Sequence, residues 1–107
     1  MQLSDELIKL KLQLIDLYTS LRNSIPADLN DDQLTLRNDF KKLLIISYLL
    51  NLFNNPDKIE YLQDLVDLEA NNIESILEGF DVLFEKVNDV YNFKFIAKSE
   101  NSAEGNN

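Results

Sequence analysis

The chain has 107 residues, with 19 acidic side chains against 10 basic ones, a formal net charge of −9, and neither Cys nor His. That length holds one domain with one core, and the missing Cys exclude a disulfide framework and thiol chemistry. Without His and Cys the commonest general base, the soft metal ligands and the usual activated nucleophiles are also gone.

Two Gly and two Pro in the whole chain predict few turns and long helices. Met1 leads directly into Gln2, Leu3, Ser4, Asp5 and Glu6 without a basic n-region, so no signal peptide is expected. The first helix opens at Ser4 as N-cap, followed by Asp5 and Glu6 at the positive end of the helix dipole. Leu3, Leu7, Leu10, Leu14, Leu17 and Leu21 recur by four and three, with Ile8, Ile15 and Tyr18 widening the stripe. Pro26 disfavours helical geometry at Ile25, which ends the helix near Ser24.

The next helix has a written start: Asn30 as N-cap, Gln33 in the capping-box position, and Leu29 and Leu34 as a hydrophobic staple. It runs to about residue 54 and contains the most apolar stretch of the chain, residues 40–53, interrupted after Leu43 only by Ser47 and Asn51. A helix apolar nearly all round is covered on most sides, so this segment is expected at the centre of the domain. Its basic flank would also suit a membrane interface, but the strong cap and tight turns fit a packed core better. The longest apolar run is about half the ~20 residues a membrane span needs. A cytoplasmic or otherwise intracellular location is therefore expected.

Asn55 as cap and Pro56 at the first helical position open a third segment. Ile59, Leu62, Val66, Glu69, Ile73, Ile76, Phe80, Leu83, Val87 and Val90 alternate by three and four, a heptad pattern passing unshifted through Gly79. This predicts one helix over 56–92, with Glu69 the single charged residue in a core position, solvated or set against Arg22, Arg37 or Lys41. The fold class expected is all-α. It is an antiparallel three-helix bundle with helices about 4–24, 31–54 and 56–92, the third long and coiled-coil-like. The domain covers 1–96, and a polar tail over 97–107 is expected to be disordered. If the third helix breaks at Gly79, a four-helix bundle results.

At 1.5 Å per residue the third helix would span roughly 48 Å, against roughly 31 Å and roughly 35 Å for the others. Its overhang would carry Phe84, Val87, Val90, Tyr91, Phe93, Phe95 and Ile96, and aromatic groups are the usual anchors of interfaces. The candidate partner-binding residues are Phe80, Phe84, Val87, Tyr91, Phe93 and Phe95, for another protein or a second copy of the chain. Tyr91, Phe93 and Phe95 also alternate with Asn92, Lys94 and Ile96 at a period of two, which allows this piece to leave the helix and lie extended. Residues 57–89 hold ten acidic side chains against Lys58 and Lys86, −8 of the total −9. Among them Glu60, Asp64, Asp67, Glu74, Glu78, Asp81 and Glu85 follow helical spacing opposite the apolar seam. This acidic ridge is a solvated outer face or a docking strip for a basic peptide.

No Gly-rich phosphate loop and no Glu-x-x-His pattern is present. No catalytic, cofactor-binding or metal-binding residue is assigned, no cofactor is expected, and the chain is read as non-enzymatic. Nucleic-acid binding is disfavoured because no basic patch is available to neutralise phosphates. The expected function is that of an interaction or assembly subunit docking through the aromatic end of the third helix. The alternative is an acidic neutraliser of a basic protein or peptide. The expected layout is similar to that of small helical immunity proteins that protect bacteria from their own cationic bacteriocins. The resemblance is one of architecture, and no site residue is carried over from it.

Overall fold

The computed structural model describes residues 3–98. It contains α1 (Asp5–Ser24), α2 (Asp31–Leu34), α3 (Asn38–Leu52), a 3-10 turn (Pro56–Lys58), α4 (Ile59–Glu69), α5 (Ile73–Glu78) and an antiparallel hairpin of β1 (Phe80–Val87) and β2 (Val90–Ala97). The all-α three-helix bundle expected from the sequence is therefore not the fold, and neither is a four-helix bundle broken at Gly79. The coiled-coil-like third helix is replaced by two short helices and a sheet. Of the predicted tail over 97–107, residues 99–107 lie outside the described residues, whereas Ala97 closes β2 and the Lys98 N–H donates to the Gly79 carbonyl at 2.7 Å.

Local chemistry explains each boundary. In α1 the Ser4 hydroxyl accepts the Leu7 N–H, and Asp5 and Glu6 occupy the first turn. Asn30 and Gln33 form a reciprocal capping box, but the helix they open lasts a single turn. Thr35 ends it, its hydroxyl donating back to the Asp32 carbonyl in competition with the helix, and Arg37 is extended. The Arg37 guanidinium then grips Asp39 through two hydrogen bonds of 2.9 and 2.8 Å at the start of α3. The predicted 31–54 helix is thus two helices parted by residues 35–37.

The long third helix fails first at residues 70–72. Ala70 and Asn71 both take left-handed backbone conformations, with φ of 50° and 60°, and the Asn71 N–H reaches back to the Val66 carbonyl. Asn72 at once caps α5, its side chain accepting the Glu74 and Ser75 N–H groups. Glu69 is consequently the last residue of α4 rather than a core position of a longer rod, and no ion pair joins it to Arg22, Arg37 or Lys41. Gly79 terminates α5 and β1 begins at the next residue.

The core is assembled around α3. Ile45, Ile46, Leu49 and Leu52 of α3 meet Leu7, Leu10 and Leu14 of α1, Leu62 and Val66 of α4, Ile76 and Leu77 of α5, and Phe80 and Val82 of β1. Ser47 and Asn51 are exposed, so the polar strip of the apolar helix faces solvent. No polar or charged residue is buried among the described residues. The start of α1 is tied to α4 by polar contacts: the Ser4 hydroxyl donates to Gln63 at 2.7 Å, Gln63 donates to Glu6 at 3.3 Å, and Asn71 donates to the Glu6 carbonyl at 3.4 Å. No helix among the described residues is long and apolar enough to cross a membrane.

Candidate functional site: an aromatic cleft beneath the hairpin

The hairpin forms because residues 80–87 and 90–97 are rich in aromatic and β-branched side chains, and because Asn88 and Asp89 tolerate the backbone that a two-residue turn requires. Both have positive φ, 54° and 65°, as in a type I′ turn. The register pairs Phe80 with Ala97, Val82 with Phe95, Phe84 with Phe93, and Lys86 with Tyr91 on the face turned toward α3. Asp81, Leu83, Glu85 and Val87 pair with Ile96, Lys94, Asn92 and Val90 on the opposite face.

Seven rings run continuously through the inner face and α3. Tyr48 stacks on Phe95 at 4.5 Å between centroids and meets Phe80 edge-on at 6.2 Å. Phe95 meets Phe93 at 5.7 Å, Phe93 meets Phe84 at 6.3 Å, and Phe84 touches Tyr91 and stacks on Phe40 at 6.1 Å. Such ring pairs contribute about 0.5–1.5 kcal/mol each beyond the area they bury. They fix the hairpin over the helices.

At its tip the sheet is held by one carboxylate. Asp32 of α2 accepts hydrogen bonds from the Tyr91 hydroxyl and from Lys86 Nζ, the latter at 3.1 Å, and the Lys86 ammonium lies 5.4 Å from the centre of the Tyr91 ring. The Tyr91 hydrogen bond, then Lys86, holds the Asp32 carboxyl below its ordinary range, and Asp32 raises Lys86 in turn. All three groups are open to water, so this latch orients the tip more than it stabilises the fold.

Between this latch and the stacked rings lies a cleft of about 260 Å³. Leu34, Phe40 and Leu44 line it from the helices, Phe84, Val90, Tyr91 and Phe93 from the hairpin, with Asp31, Thr35 and Asp89 adding polar groups. Four apolar residues of the hairpin stay substantially in water: Leu83 at 47%, Val87 at 43%, Val90 at 60% and Phe93 at 50% of full exposure. The sheet has two strands, so among the described residues each strand has one edge without a ladder partner.

Of the predicted partner-binding residues, Phe80, Phe84, Tyr91, Phe93 and Phe95 come together on the inner face of the sheet, whereas Val87 is on the other face near the tip. The acidic residues do not share a face of one helix. Glu60, Asp64 and Asp67 belong to α4, Glu74 and Glu78 to α5, and Asp81 and Glu85 to the outer face of β1. Two of them are engaged locally: Asp67 accepts from Gln63, and Asp81 accepts the Val82 N–H at 2.7 Å. Sequence reasoning missed Phe40, Tyr48 and Asp32. The signal that would have found them is the Asn88–Asp89 pair between two alternating runs, which identifies the sheet that these residues must cover.

No three carboxylates among the described residues come together in a group able to hold a metal ion. Compared with protein-family models, curated proteins and solved structures, the chain matches none. The likeness to helical immunity proteins rested on an all-helical layout that the hairpin removes.

Proposed function

We propose that the protein is a non-enzymatic interaction or assembly subunit that takes hold of another polypeptide through its C-terminal hairpin. The observation that supports this most is the hairpin itself, which combines unpaired strand edges with Leu83, Val87, Val90 and Phe93 left in water. Natural proteins usually blunt or cover such edges, because an open one is a template for another strand. Apolar side chains beside an open edge add the side-chain selectivity that strand addition uses. The aromatic residues singled out from the sequence serve this role from a sheet instead of from a projecting helix.

The test is affinity capture from native cells with the intact chain and with a Val90→Asp, Phe93→Asp variant whose helical circular dichroism and melting are checked in parallel. Proteins retained by the intact chain are expected to be lost from the variant. Charge reversal of Asp67, Glu74 and Glu78 is expected to leave them bound. Equal capture by the hairpin variant would sink the proposal.

A further inference from the structure

The phase of the ladder decides which backbone groups are free. Val87 and Val90 flank a two-residue turn and form a hydrogen-bonded pair, and the Lys98 N–H bonded to the Gly79 carbonyl continues the same phase at the base. The N–H and C=O groups of Tyr91, Phe93 and Phe95 therefore point away from β1, along the outer edge of β2. The corresponding edge of β1 is partly closed, because the Asp81 carboxylate already occupies the Val82 N–H. The cleft takes Val90, Tyr91 and Phe93 from β2 but only Phe84 from β1, so it follows the open edge. Its volume of about 260 Å³ falls below the ~300–1,000 Å³ of small-molecule sites and suits one large aliphatic side chain.

Charge identifies the occupant. Asp31 and Asp89 line the cleft, both are exposed, and neither forms a salt bridge among the described residues, although Asp31 adds to the field of Asp32 that raises Lys86. A second copy fits poorly, since each chain carries −9 and the only charge β2 would bring is Lys94. Resting on the hairpin-docking reading above, we infer that the groove between the β2 edge and α2 receives an extended basic peptide. It adds as an antiparallel strand to β2, sets an aliphatic side chain between Phe40 and Phe93, and presents Lys or Arg from the same face to Asp31 and Asp89.

Pairing fixes which peptide groups matter. In an antiparallel ladder, residues that exchange hydrogen bonds share one face of the sheet, so peptide residues bonded to Tyr91, Phe93 and Phe95 send their side chains toward the cleft. The probe is a short blocked peptide, Lys-Thr-Ile-Thr-Lys, whose Lys and Ile share one face, titrated into the full chain. It should bind saturably, one peptide per chain. N-methylation at Lys and Ile, whose N–H groups meet β2, should weaken binding tenfold or more, whereas N-methylation at Thr should change it less than about twofold. Asp31→Asn with Asp89→Asn, which keeps a residue type that accepts the left-handed turn position, should also weaken it tenfold or more without moving Tm, and a Glu-for-Lys peptide should not bind.

Equal sensitivity to both methylation frames overturns the inference. So does indifference to removal of the two charges, or a dimer in solution that Phe93→Asp returns to monomer. Should the peptide fail to bind while Val90→Asp, Phe93→Asp still abolishes capture of native partners, the groove assignment falls and hairpin docking stands.

Discussion

The helical body and the hairpin treat their apolar side chains in opposite ways. Leu10, Leu14, Ile46, Leu49 and Leu62 are 0% exposed, while Val90 and Phe93 of the hairpin keep half or more of their surface in water. The body has three helices, α1, α4 and α5, to close around α3, but the sheet has only two strands and one covered face, and a two-stranded hairpin is marginal by itself. Stability therefore resides in the body, and the hairpin trades burial for an available surface.

Truncation of a side chain in the body should cost the most. Leu49→Ala removes a fully buried side chain and is expected to cost about 2–5 kcal/mol, read as a lowered Tm of the whole chain. Phe84→Ala takes a half-buried ring from the centre of the aromatic run. Its expected cost is smaller, about 1–3 kcal/mol, and local: amide exchange should quicken in β1 and β2 before it does in α1 and α3. If Phe84→Ala lowers protection of the body and the sheet equally, the two regions are one cooperative unit and the contrast is wrong.

Smaller effects are expected at the tip of the hairpin. Asp89 sits at a φ of 65°, where Gly is favoured after Asn in a type I′ turn. Asp89→Gly should therefore stabilise the hairpin by a few tenths to about 1 kcal/mol, seen as slower exchange of the β2 amides. The smallest effect belongs to the latch. The Asp32 carboxyl titrates below its ordinary value of 3.8, so its contribution is complete above that value and is lost as pH falls through the depressed one. Lys86 titrates above its ordinary 10.5, so its contribution is complete below that value and is lost as pH rises through the raised one. NMR shifts of the Tyr91 ring should thus be flat between these limits and move at both ends. Asp32→Asn should remove the acid-side change without a measurable shift in Tm.

What could be read from the sequence was what is decided within one turn of chain. The Ser4 cap, the Asn30–Gln33 capping box and the Asn55–Pro56 start all rest on side chains reaching their own backbone neighbours, and each is present in the structure. The apolar centre at 40–53 was legible for a similar reason, since a helix greasy on most sides has few places to go. The third segment failed because two periodicities overlap there. Phe80, Leu83, Val87 and Val90 satisfy a heptad, yet three of these four are exposed, while the alternating Phe80, Val82 and Phe84 are the residues that face the helices. Spacing alone does not distinguish these patterns, but turn chemistry does: Asn71–Asn72 ends one element and caps the next, and Asn88–Asp89 reverses the chain. The cleft was invisible because half of it comes from α2 and α3, about fifty residues away from the strands it lies under.

The polar ties between the first turn of α1 and α4 carry a kinetic consequence. Ser4, Glu6 and their partners Gln63 and Asn71 are separated by 57 to 65 residues, whereas the whole sheet closes over a two-residue turn. Loop closure grows costlier with length and hairpins form in roughly 1–10 μs, so α1, synthesised before α4, is among the last elements to find its complete surroundings. Until α4 has been synthesised, Leu7 waits with one side uncovered, and a chaperone that recognises short greasy segments would find one there on the growing chain.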